Sequence, residues 1–261
     1  MLKKSPWLGY VKPAKIFGNL YFVGTKPSSV HLIDTGDGLI LIDTGYLDNL
    51  YLTVQNIWEL GFDPRDIKIL LLSHCHFDHT NGAAPLQQLS GAKIYLSRDD
   101  AYLASGEINH CTTVSYPFVP DVLLSDGDVI TLGNTSIRCV SSPGHTDGVM
   151  SFFFDVTDGE RTLRAGMHGG VGLVSLTKEF LTRNALPFEN RDKYFASLEK
   201  LKDERVDIVL GNHVGQNDTV GKLKKAEEGG ENPFIDPTEW GRFLEKCRIG
   251  LVELIESEKE Q

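Results

Sequence analysis

Three histidines and an aspartate fall within six positions of the stretch LLSHCHFDHTNG: His74, His76, Asp78 and His79. The chain has only 8 histidines in 261 residues, so this crowding is a chemical signal. Imidazole nitrogens and carboxylate oxygens are ligands for zinc and other borderline transition metals, and a hydrolytic site keeps one position open for water. In extended backbone, residues two apart point the same way, so His74 and His76 can share one ion. Asp78 and His79 follow and can face a second ion beside it. Cys75, between two ligands, points away from them in the same backbone and reads as a packing residue.

Each ion still needs a ligand from elsewhere. Three other histidines stand where a strand ends in a glycine-bearing loop: His145 in SSPGHTDG, His168 in RAGMHGG and His213 in VLGNHVGQ. Glycine beside them lets backbone come close to an ion or substrate. His31, inside a strand, and His110, in a long loop, read as structural.

The elements that must position these residues follow from apolar periodicity. KIFGNLYFVG, SSVHLID and GLILIDTG read as strands. Asp48 is then expected to cap a helix with Leu50, Val54, Ile57 and Leu60 on one face and Gly61 as its stop. A buried strand over Ile67–Ser73 delivers the histidine cluster. A short helix around Ala83–Leu89, the strand AKIYLS and a helix from Arg98 come next. Gly106–Pro120 is irregular and is expected to border the site as an aromatic flap. Short strands follow over Val129–Thr131, Ser136–Val140, Val149–Asp155 and Thr162–Ala165. A helix capped by Asn190 leads into the strand VDIVLG. Asp236-Pro237-Thr238-Glu239 has the pattern of a capping box and opens a last helix over about 237–258. No linker composition divides residues 1–261, which read as one domain of two packed sheets with helices outside.

Composition narrows the function classes. A formal net charge of −10 makes nucleic acid a poor partner, because phosphate binding needs Lys and Arg. No apolar run approaches the ~20 residues of a membrane span, and Pro6 interrupts the N-terminus where a signal peptide would be apolar. A cytoplasmic protein with a small-molecule substrate is the expectation. The scattered Cys75, Cys111, Cys139 and Cys247 read as reduced thiols.

His-x-His-x-Asp-His after a hydrophobic strand, then Gly-His-Thr, then a late strand-end histidine resembles the metallo-β-lactamase superfamily, and within it subclass B3. The likeness runs from LYFVGT and GLILIDTG to VDIVLGNH. It implies an α/β (α+β) fold, a four-layer αβ/βα sandwich of two mixed β-sheets flanked by helices, with pseudo-symmetric halves. It assigns His74, His76 and His145 to a first metal, and Asp78, His79 and His213 to a second, with zinc expected and iron or manganese as alternatives. It implies hydrolysis of a cyclic amide or ester carbonyl by a metal-bound hydroxide that Asp78 orients. An iron oxygenase or redox enzyme on the same fold, and a hydrolase of other esters, thioesters or lactones, are the alternatives.

The sequence departs from the B3 pattern at His168 and Gly170, where those enzymes are expected to carry serines. His168 is therefore a candidate metal ligand or proton donor, or a packing residue. Replacing both departures by serine is expected to raise lactam hydrolysis.

Overall fold

Short apolar runs pair into two sheets in the computed structural model, which describes residues 5–107 and 116–259. The first sheet has seven strands in chain order: β1 (Ala14–Phe17), β2 (Leu20–Phe22), β3 (His31–Asp34), β4 (Leu39–Ile42), β5 (Ile67–Leu71), β6 (Lys93–Ser97) and β7 (Val122–Leu124). β1 to β4 pair antiparallel, and β4 to β7 pair parallel. The second sheet contains β8 (Val129–Leu132), β9 (Thr135–Ser141), β10 (Met150–Thr157), β11 (Thr162–Met167) and β12 (Ile208–Leu210), ordered β12-β11-β10-β9-β8. Only its β11–β12 pair is parallel.

Parallel neighbours need a crossover, and helices supply most of them. α1 (Leu50–Glu59) joins β4 to β5, while α2 (Phe77–Thr80) and α3 (Ala83–Ser90) lie between β5 and β6. α4 (Lys178–Arg183) and α5 (Asn190–Leu201) lie between β11 and β12, and α6 (Thr219–Glu228) and α7 (Glu239–Lys259) follow.

Strands covered on both faces read as continuous apolar runs, and the two-residue period sorts their side chains. In β4, Ile40 and Ile42 enter the core between the sheets with Phe152, Phe154 and Met167. Leu39 and Leu41 of the same strand face outward with Ile57 of α1 and Leu86 of α3. In β10, Phe153 turns from its neighbours to meet Trp240 of α7 edge-on at 5.6 Å. Three apolar layers thus separate helices, sheet, sheet and helices, which is the expected four-layer αβ/βα sandwich.

Local chemistry differs from expectation at several points. Asp48 does not cap α1; it lies in a single 3₁₀ turn, Leu47–Asn49, that precedes the helix. Asn190 is the first residue of α5 and makes no capping bond. The helix expected from Arg98 is a 3₁₀ turn, Ala101–Ser105, and β7, α4 and α6 are additions. Asp236 does act as expected, its Oδ1 accepting from Thr238 N at 2.9 Å, but Glu239 binds Lys222 at 2.5 Å rather than closing a box.

The expected flap fares differently along its length. His110, Cys111 and the middle of Gly106–Pro120 lie outside the described residues. Phe118 is 7% exposed and belongs to the core beneath α1 and α3, so it is a packing residue rather than a flap aromatic. Cys75, Cys139 and Cys247 are free thiols. No helix among the described residues is long and apolar enough to cross a membrane.

Candidate metal centre

The carboxyl ends of the strands bring the histidines together. β5 ends at Leu71 and releases Ser73–His76 into a loop, after which the short α2 presents Asp78 and His79. The β9–β10 turn contributes His145, and the turn after β12 contributes His213. His74, His76 and His145 form one group, and Asp78, His79 and His213 a second, with ligand atoms within 4.8 Å of one another in each. The groups adjoin, since the His74 and His79 rings lie 4.3 Å apart.

Four histidines have their tautomer set from behind. His74 Nδ1 donates to Gly169 O at 2.8 Å, and His213 Nδ1 to Pro27 O at 2.7 Å. His145 Nδ1 donates to Gly172 O at 2.7 Å, and His79 Nδ1 to the Asp43 carboxylate at 2.8 Å. A carbonyl or carboxylate can only accept, so each Nδ1 carries a proton, and in the neutral ring that a metal binds Nε2 keeps the lone pair. Nε2 of His74 and of His79 are buried without a hydrogen-bond partner. An orphaned buried nitrogen is costly, and a bound metal relieves it. The donor set of five imidazoles and a carboxylate fits zinc.

Protonation agrees. Burial, then the His79 charge, holds His74 well below the ordinary histidine range; burial, then His145, does so for His76. Burial lowers His145 to about 4. His79 is the exception: burial opposes its charge, but Asp78 and Asp43 together raise it to about 10. Burial also works against ionised Asp78, yet His79 and His213 draw its carboxyl well below the usual range. Asp78 Oδ2 lies 3.4 Å from Nε2 of both.

His168 stands apart from both groups. It is 1% exposed, and its Nδ1 accepts from Gly170 N at 3.2 Å. Nε2 therefore bears the proton, the reverse of the other four tautomers, and neither nitrogen offers a free lone pair. Burial, then His145, lowers it to about 3. His31 is structural as expected, donating from Nε2 to Gly211 O at 3.1 Å.

Two carboxylates escaped the sequence reading. Asp43, in LIDTG after β4, accepts from Ser73 N, Ser73 Oγ and His79 Nδ1, all at 2.8 Å. Asp100 accepts from Cys75 N, Thr146 Oγ1 and Gly148 N, also at 2.8 Å, and so ties the two loops that carry the first group. Burial raises it to about 6 against the pull of those donors. The signal for Asp43 was available: an acid at the end of a wholly buried strand must be paired.

The surroundings of Gly170 bear on the expected serine replacement. A Cβ there would meet Val149 Cγ2 at 2.9 Å and His145 Cδ2 at 3.0 Å, so one of them must shift. Gly170→Ser is therefore expected to weaken metal binding at His145 about 10-fold, the lower end for disturbing a ligand's support. Zinc titration of Gly170→Ser against His168→Ser checks this; equal affinities would show that the ring yields freely.

Acid should unfold the metal-free protein. His74, His76, His145 and His168 have lower pKa values folded than unfolded, so the unfolded chain binds the extra protons on acidification. Their stabilisation is full above about 6.5, the free histidine value, and is lost as pH falls toward 4. Asp100 opposes this by one proton, since its raised pKa lowers stability as pH rises from about 4 to 6. The histidines outnumber it. Unfolding at fixed temperature should lose more than about 1.4 kcal/mol per pH unit below pH 6; a flat profile from pH 8 to 5 would contradict the neutral-cluster picture.

Known proteins match this architecture along most of its length. Residues 23–213 match the metallo-beta-lactamase superfamily. The chain belongs to that family. BJP-1, a subclass B3 metallo-beta-lactamase of Bradyrhizobium japonicum, superposes with a TM-score of 0.88 over 98% of each chain at 26% identity. The hydroxyacylglutathione hydrolase GloC of Haemophilus influenzae is 26% identical over 70% of this chain and 81% of its own. PksB of Bacillus subtilis, a probable polyketide biosynthesis zinc-dependent hydrolase, is 34% identical over 34% of this chain, and the match spans only 35% of that protein. The chain is a metallo-β-lactamase-fold hydrolase with metal-binding histidine and aspartate groups.

Proposed function

We propose that the chain is a dinuclear zinc hydrolase that cleaves an ester, thioester or amide of a small molecule at its carbonyl. The observation that carries this is the pair of adjoining three-residue groups with lone pairs aimed inward from fixed tautomers. His74, His76 and His145 would hold one zinc, and Asp78, His79 and His213 the other. When bound, the zinc pair supplies a hydroxide at neutral pH and Lewis acidity for the carbonyl.

This chain's residues do the rest. Asp78 offers Oδ2 between two imidazoles and supplies the one negative charge of the ligand set. In this reading its carboxylate would also orient the attacking water. Gly169, Gly172, Pro27 and Asp43 keep the imidazoles oriented. His168 is buried behind the site, where its Nδ1 holds Gly170 N beside His145.

A serine side chain at Gly170, as expected of a B3 lactamase, would have to displace Val149 or the His145 ring, which favours thioester and ester substrates over lactams. GloC, by its name, acts on a glutathione thioester. Metal analysis of protein purified without added metal, with turnover of a thioester, ester, lactone and β-lactam panel, tests the proposal. Zinc near two equivalents with thioester turnover above lactam turnover is expected. Iron with no hydrolysis would favour the redox alternative.

A further inference from the structure

Asn190 looked like a helix cap in sequence and is not one. It opens α5 with a side chain that makes no hydrogen bond among the described residues, and its Oδ1 is buried without a partner. The residue is only 4% exposed. Buried amides are almost always satisfied, so an orphan calls for a reason. Neither capping nor packing explains it, because an apolar residue would fill the place at lower cost.

The place itself supplies a reason. Asn190 lines a recess of about 30 Å³ whose other walls include His76 and His145 of the first metal group, with Leu103, Phe180 and Leu186. That volume holds one or two water-sized atoms, enough for a polar substituent and too little for a ring. The two acidic groups in the lining are engaged. Asp100 is filled by its three donors, and Asp147 pairs with Lys193 at 2.6 Å. Asn190 Oδ1 is thus the buried acceptor of the lining that has no partner among the described residues.

Resting on the hydrolase reading, we propose that Asn190 is a specificity-determining residue that accepts a hydrogen bond from a donor flanking the substrate's scissile carbonyl, an amide N–H above all. With the carbonyl at the zinc pair, a substituent a few atoms away reaches the recess between His76 and His145. The apolar walls remove water from that hydrogen bond, so a substrate without the donor leaves Asn190 unpaired. Discrimination arises from that penalty.

The experiment compares wild type with Asn190→Leu, which keeps the branching and removes the polar atoms. Substrates are matched thioester pairs, one with a secondary amide N–H and one N-methylated, with the amide on the acyl side in one pair and on the thiol side in the other. Wild type should prefer the N–H member of one pair by about 10- to 100-fold in kcat/KM, and Asn190→Leu should erase that preference. In the metal-free state Asn190→Leu should melt about 2–4 °C higher, because an unpaired buried amide is gone. Equal loss on both members of each pair would mean that Asn190 holds only a water, and would overturn the assignment. A lower melting temperature would show a structural partner and overturn it as well. No turnover of any thioester by wild type would instead overturn the hydrolase reading, and this assignment with it.

Discussion

Asp78→Ala should bind one zinc where the parent binds two, and should lose hydrolysis while staying folded. Removing the carboxylate leaves the second group with two imidazoles, His79 and His213, and no negative charge to offset a dication. The first group is untouched, because its three ligands come from other positions. Turnover should fall at least about 10²–10³-fold, the scale seen when one transition-state donor is removed, since orientation of the nucleophile is lost as well. Folding should survive because Asp78 belongs to none of the three apolar clusters and its side chain is 15% exposed. Asp78→Asn separates charge from shape: it keeps an oxygen near His79 Nε2 but not the negative charge, and should also bind one zinc. Metal analysis and circular dichroism on the same samples check both. A variant retaining two zinc ions and parental turnover would remove Asp78 from the second group.

The ligands were legible because their chemistry is local. His74, His76, Asp78 and His79 lie in one short stretch, and His145 and His213 each follow an apolar run, so periodicity placed them at strand ends. The sandwich was legible for a similar reason: LILI of β4 and IVL of β12 are apolar and buried at every position, as strands covered on both faces must be. What escaped was set by three-dimensional context. Asp43 and Asp100 act on residues 25 to 48 positions away, and nothing in spacing announces which loop a buried carboxylate will hold. His168 was ambiguous because a lone histidine in a glycine loop can present either nitrogen, and only the Gly170 contact decides its tautomer. Asn190 and Asp48 misled because good capping residues also serve other ends, and a cap is defined by backbone geometry rather than residue type.

Asp43→Asn and Asp43→Ala should fail in different ways, because the carboxylate does two jobs. Asp43 is 1% exposed and sits at a φ of 59°, a left-handed conformation that Asp and Asn tolerate better than most residues. Asparagine can keep the backbone and one acceptor for Ser73 N. Its amide, however, faces His79 Nδ1, where only an acceptor fits. The imidazole then relieves the clash by moving its proton to Nε2, which removes the lone pair meant for a metal. Asp43→Asn should therefore fold, with affinity for the second zinc reduced about 10- to 100-fold, the usual cost of losing the residue behind a ligand. Asp43→Ala goes further. It leaves Ser73 N, Ser73 Oγ and His79 Nδ1 buried without their acceptor and adds strain at the positive φ. Breaking a buried charged pair of this kind costs about 3–5 kcal/mol, a large share of a domain's stability. Denaturant melts of the metal-free variants, with zinc titrations of any that fold, separate the two effects. If Asp43→Asn binds the second zinc as tightly as the parent, the His79 tautomer is set by something other than Asp43.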